Sequence, residues 1–149
     1  MGLSTAQCTM SALSRTAMFP AKLERLRALR LFVEAFCAQS GVGGDHCLRL
    51  NLVLEELFTN TVRHGHRGDS EAPVWVTLSA GRKTVDLAYE DTAPPFNPYG
   101  TPPDAPPDTT VKMRKIGGLG VLLTRELATS REYAYLYGRN RIRLALALS

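Results

Sequence analysis

The sequence predicts an α+β fold: a two-layer sandwich with helices on one face of a mostly antiparallel, mixed β-sheet. Three observations carry that reading. Apolar residues recur at three- and four-residue spacing in the first third of the chain, and strict alternation takes over from Ala72. Short glycine-containing turns then fold the alternating stretches into two hairpins. The order is helix, helix, hairpin, long loop, helix, hairpin, which suits helices laid on a largely antiparallel sheet.

Each element follows from local pattern. Leu23, Leu26, Leu29, Val33, Phe36 and Cys37 form one stripe of an amphipathic helix over Pro20 to Ser40, with Pro20 suited to its start and Gly41 to its end. Asp45 suits the N-cap of a second helix that runs to about His64 and is broken by Gly65. Val74, Val76 and Leu78 alternate with Trp75, Thr77 and Ser79, and after Gly81-Arg82-Lys83 the alternation resumes at Val85, Leu87 and Tyr89. Seven of the nine prolines fall between Thr92 and Ile116, a loop long enough to carry function in so short a chain. Gly117-Gly118-Leu119-Gly120 opens into a short apolar helix at Val121 to Leu127. The last hairpin joins Glu132–Tyr137 to Arg141–Leu148 through Gly138-Arg139-Asn140.

Composition sets limits. A chain of 149 residues has the size of one domain, and 44% hydrophobic with 21% charged residues is ordinary globular usage, which excludes wholesale disorder. No apolar run is long enough to span a membrane, and the first residues lack the cationic and apolar regions of a secretory signal. Cys8, Cys37 and Cys47 cannot all pair and contain no CxxC, so they read as reduced thiols of a cytoplasmic protein. The net charge of +4 is spread over Arg25, Arg27, Arg30, Arg131, Arg139, Arg141 and Arg143. Without a basic run or a nucleic-acid motif, that argues for an ordinary solvated surface and against direct nucleic-acid binding.

Three constellations could carry chemistry. Glu56 and Asn60 stand four apart on the second helix, so they share a face, where an acid and a carboxamide can hold hydrated Mg²⁺ beside a base. The same spacing also fits an exposed polar stripe. Asp91 ends a strand at the mouth of the proline-rich loop, inside Asp91-Thr92-Ala93-Pro94-Pro95-Phe96. It is either a turn former or an acceptor for an exocyclic amine such as that of adenine. Gly117, Gly118 and Gly120 before a helix let a backbone approach an anion, yet no Lys-Ser or Lys-Thr follows and no strand precedes. His64, one turn past Asn60, suits a phosphate neighbour or a helix-end cation. His64, His66 and Cys47 match no zinc spacing, and no Ser or Cys has an evident His partner for nucleophilic catalysis.

In this order, the three constellations resemble the Bergerat-type ATP-binding domain of gyrases, 90-kDa-class chaperones, histidine kinases and mismatch-repair ATPases. Within that superfamily the chain is most similar to the stand-alone bacterial anti-sigma-factor serine/threonine kinases. The resemblance runs from about Leu13 to Leu148, leaving residues 1–12 as a tail and 13–149 as a single domain. It implies a first strand over Ser14 to Phe19, which pattern alone does not indicate. It further implies ATP and Mg²⁺ as cofactors, with Glu56 as general base and Asn60 as the metal ligand. Asp91 would take the adenine amino group, with Ala93 and Phe96 in the same pocket wall and His64 nearby. Gly117, Gly118, Leu119 and Gly120 would end a phosphate-binding lid at about 98–116, and Asn140 would support the adenine pocket. The implied reaction is γ-phosphoryl transfer to Ser or Thr of an anti-anti-sigma partner by a protein that also sequesters a sigma factor. The resemblance leaves homodimerisation open.

One position departs from the family pattern: Ala93 stands where glycine is usual. If the site needs a positive φ, alanine costs about 1 kcal/mol. If the base packs on the Cα, the methyl blocks it. The second alternative goes with a non-catalytic, protein-binding regulatory module whose nucleotide site is degenerate.

Overall fold

The structure, a computed structural model, describes residues 13–98 and 128–148. The lid (apart from Pro98), Gly117 to Gly120, the helix expected at Val121 to Leu127 and the tail at 1–12 therefore lie outside the described residues. Five strands form one sheet: β1 (Leu13–Pro20), β2 (Pro73–Ala80), β3 (Thr84–Asp91), β4 (Ala128–Leu136) and β5 (Arg139–Ala147). Their spatial order is β1-β2-β3-β5-β4, and every pairing is antiparallel. Two helices, α1 (Leu26–Ser40) and α2 (Gly44–Asn60), pack on the sheet.

Alternation decides which strand face meets the helices. Val74, Val76 and Leu78 of β2, Val85, Leu87 and Tyr89 of β3, and Ile142, Leu144 and Leu146 of β5 are buried with Leu29, Val33 and Phe36 of α1 and Leu50, Val53, Leu54, Leu57 and Phe58 of α2. That is one contiguous core of the kind a two-layer domain requires. On the other face, the Arg139 guanidinium lies 3.7 Å above the Trp75 ring and 3.7 Å from Glu90, and Thr16 bonds Thr77 at 2.9 Å. Among the described residues, no helix is long and apolar enough to cross a membrane.

Four local expectations change. Pro20 closes β1 opposite Pro73 instead of opening a helix. Proline is tolerated at the end of an edge strand as readily as at a helix start, because both positions dispense with its missing N–H. The helix begins later, after a 3₁₀ turn at Leu23–Arg25 whose Leu23 N–H donates to Asp69 Oδ1 at 3.0 Å. Gly43, not Asp45, is the N-cap of α2, and Asp45 lies in the first turn, where its charge faces the helix dipole favourably. The helix predicted to reach His64 is α-helical only to Asn60, and Thr61–Gly65 form a π-helical turn. Finally, the second hairpin turns on Tyr137 (φ 54°) and Gly138 (φ 76°), the two left-handed residues a two-residue hairpin loop demands. Arg139 and Asn140 thereby become strand residues, and Asn140 falls in phase with Ile142 on the core side.

Cys37 and Cys47 are free thiols; burial foremost, then a hydrogen bond with Cys47, pushes the Cys37 thiol up to about 12. Cys8 lies outside the described residues.

Candidate functional site

A cavity of about 250 Å³ opens between the C-terminal end of α2 and the adjoining ends of β3 and β5. Strand register builds its floor. Asp91 and Asn140 are cross-strand partners, Val74 pairs with Asp91 on the other side, and the next row holds Tyr89 opposite Ile142. The π-helical turn supplies the facing wall with Thr61, His64 and Gly65, next to Asn60 on the last turn of α2. A π-turn widens the helix by one residue, and such bulges recur at functional sites.

Asp91 is 7% exposed, and both its oxygens are hydrogen-bonded within the chain. Oδ1 accepts the Asn140 amide at 2.8 Å and the Ala93 N–H at 3.1 Å; Oδ2 accepts the Thr61 hydroxyl at 2.7 Å. A carboxylate has about four acceptor positions. Among the described residues three are filled, which leaves one for a ligand donor. The two Asn140 amide protons are shared among three acceptors, Asp91 Oδ1, the Ala93 carbonyl at 2.9 Å and the Pro94 carbonyl at 3.1 Å, while its Oδ1 accepts the Phe96 N–H at 3.0 Å and the Tyr133 phenol at 2.5 Å. These partners fix the amide's orientation, because only an oxygen can accept from Phe96 N–H. The start of the proline-rich loop is thus tied to β5 by one side chain.

Asn60, His64, Asp91, Ala93, Phe96 and Asn140 all line the cavity. Glu56 stands one helical turn before Asn60, half-buried and outside the cavity lining. Partial desolvation pushes its carboxyl above the usual carboxylate range, against the opposing pull of His64 and Arg63. Gly117, Gly118, Leu119 and Gly120 fall outside the described residues. Among those described, no three His, Cys, Asp or Glu residues cluster to hold a metal. A carboxamide lining a cavity beside one acid fits only an ion bound chiefly by ligand oxygens and water, as Mg²⁺ is.

Ala93 does not need left-handed backbone: among the described non-glycine residues only Arg67 and Tyr137 have positive φ. The alanine is 3% exposed, and its methyl packs against Gly65, where an added Cβ would come within 2.7 Å of the Ala93 Cβ. Gly65 therefore makes room for Ala93.

Sequence reasoning passed over Thr61, Tyr89, Tyr133 and Arg67. Tyr89 had a readable signal, since it stands two residues before Asp91 and so on the same strand face. Thr61 is 5% exposed and joins Tyr89 Oη at 2.6 Å, a contact that only the packing of α2 on β3 creates. Arg67, at φ 61°, lines the cavity.

Comparison with known proteins gives the family and the fold. A family model described as the histidine kinase-like ATPase domain matches residues 19–146. The serine-protein kinase RsbW of Listeria monocytogenes is 25% identical over 121 residues, which cover 75% of this chain and 73% of the relative. RsbW of Bacillus licheniformis is 27% identical over 112 residues, covering 72% and 69%. The crystal structure of the RsbU and RsbW domains of Rv1364c from Mycobacterium tuberculosis matches 91% of this chain with a TM-score of 0.58 at 17% identity, a likeness of fold. This chain spans 33% of that longer one.

Proposed function

The chain belongs to the histidine kinase-like ATPase domain family, and from that premise we propose that it is a cytoplasmic, ATP-binding, anti-sigma-type regulator. It transfers the ATP γ-phosphate to a serine or threonine of an anti-anti-sigma partner, and it sequesters a sigma factor. The observation that carries the reading is Asp91: a nearly buried carboxylate with a single open acceptor position, at the floor of a cavity whose other wall carries Asn60 and His64. An exocyclic amine is the donor that position suits.

In this reading Asp91 binds the adenine amino group and Asn60 holds Mg²⁺, with His64 near the phosphates. Mg²⁺ held there would supply charge neutralisation for the transferring phosphoryl group. The partner's hydroxyl oxygen forms the new P–O bond as the bond from the γ-phosphorus to the bridging oxygen of ADP breaks. The hydroxyl proton passes to Glu56. A carboxyl raised above the ordinary range is better matched to that task near neutrality than an exposed glutamate.

Asn60→Ala is expected to abolish the Mg²⁺ dependence of ATP affinity, read by calorimetry with and without the metal. Retained metal-dependent binding would remove Asn60 from its role. For Glu56, the base form exists above its pKa and is lost as pH falls through it. The transfer rate should therefore drop on acidification at a higher pH than an ordinary glutamate near 4.3 would give. Glu56→Gln should lose transfer and keep ATP binding. Incubation with Mg-ATP and a candidate anti-anti-sigma protein is the direct test; ATP binding without phosphotransfer overturns the kinase half and leaves a binding module.

A further inference from the structure

Two chains of hydrogen bonds, each headed by a buried or half-buried tyrosine, end on opposite oxygens of Asp91. On one side Tyr89 Oη lies 2.6 Å from Thr61 Oγ1, which lies 2.7 Å from Asp91 Oδ2. On the other, Tyr133 Oη lies 2.5 Å from Asn140 Oδ1, and the same amide's Nδ2 lies 2.8 Å from Asp91 Oδ1. We propose that Tyr89 and Tyr133 are positioning residues that set base selectivity, aiming the one open acceptor position of Asp91 by acting through Thr61 and Asn140. The inference rests on the nucleotide reading above and adds residues that act on Asp91 through Thr61 and Asn140.

Proton accounting supports the direction of each chain. Thr61 and Tyr89 have one hydroxyl proton each, and both reach the Leu57 carbonyl, at 3.0 and 3.1 Å. A 2.6 Å contact between two hydroxyl oxygens must contain a proton. If Tyr89 donates to Thr61, then Thr61 is free to donate to Asp91, and both dipoles point at the carboxylate. The Leu57 carbonyl loses nothing by this, since the Thr61 N–H already donates to it. Without the tyrosine proton, the threonine hydroxyl can turn back to Leu57, a back-bond common for threonine in helices. Burial chiefly, then the charge of Asp91, raises the Tyr89 phenol well above its ordinary range, so it remains a donor. Burial likewise raises Tyr133, which keeps its proton for Asn140.

With both arms set, Asp91 meets the ligand at one angle. An adenine amine satisfies it; a carbonyl in that place does not. The test is titration calorimetry of the full chain with ADP and with inosine diphosphate, which has a carbonyl in place of the amine. Tyr89→Phe and Tyr133→Phe are each expected to weaken ADP about three- to tenfold, the worth of one charge-assisted hydrogen bond set askew. Inosine diphosphate should stay within about twofold, because the bond in question is absent from its complex. Thr61→Ser keeps the relay and should keep the selectivity; Thr61→Val should lose it. Parallel weakening of both nucleotides, or unchanged ADP affinity, overturns the proposal and leaves the nucleotide site standing. A wild-type chain that binds neither nucleotide overturns the nucleotide reading and takes this inference with it. Tyr133, only half-buried on β4, keeps the test decisive if Tyr89→Phe fails to fold.

Discussion

Replacing Asn140 by leucine is expected to lower the unfolding free energy by about 3–5 kcal/mol, the largest effect of any single change near the site. The cost lies in what the amide leaves behind. The Ala93 and Pro94 carbonyls lose their donor, Asp91 Oδ1 keeps only the Ala93 N–H, and the Tyr133 phenol loses its acceptor. Each buried group stranded in this way costs about 1–3 kcal/mol, and the leucine side chain cannot serve any of them. The sum stays below the arithmetic total because Pro94 and Phe96 are near enough to the surface for water to reach. The Phe96 N–H also retains Tyr133 Oη at 3.1 Å. Urea denaturation gives the measurement: a lower midpoint at unchanged slope reports lost stability in an intact fold. A loss under about 1 kcal/mol would show that the amide is dispensable.

The same residue shows how far the sequence can be read. Asparagine two residues after a glycine reads as part of a turn, which puts the turn over Gly138-Arg139-Asn140. Counting in twos backward from Leu146, Leu144 and Ile142 instead puts Asn140 on the core side, where it stands opposite Asp91. The hairpins themselves were legible because one face is buried and the other is wet, which is the condition for clean alternation. The edge strand β1 was not legible: Arg15 takes a core-side position without being buried, so the pattern breaks where the sheet stops being covered. Only the resemblance to Bergerat-type domains indicated it. Asn60 and Asp91 could be picked out because polar residues stand at element ends, whereas Phe96 follows only from the resemblance. Thr61 and Tyr133 could not, since their partners come from α2 packing on β3 and from the pairing of β4 with β5. Local pattern gives elements and their faces. Which side chains share a proton depends on register and packing between distant segments.

Gly65 makes that dependence testable. Its sequence signature is that of a helix breaker, yet its described surroundings point to a second cause: an added Cβ would sit 2.7 Å from the Ala93 Cβ. Neither atom is the far end of a flexible side chain, so the clash must be relieved by moving backbone. Both backbones are held: the Ala93 N–H and carbonyl bond Asp91 and Asn140, and the His66 and Gly68 N–H groups bond the Thr61 and Val62 carbonyls. Gly65→Ala is therefore expected to destabilise by about 1–3 kcal/mol, overpacking outweighing the few tenths that reduced chain entropy returns. Ala93→Gly alone should cost about 1 kcal/mol, through a lost methyl contact and added backbone freedom. Together the two changes move one methyl from one wall of the crevice to the other. The double variant should then be less destabilised than the sum of the singles by about 1 kcal/mol or more. Strict additivity in thermal or urea unfolding would mean that the two walls do not meet there. The accommodation of alanine at position 93 would then need another physical account.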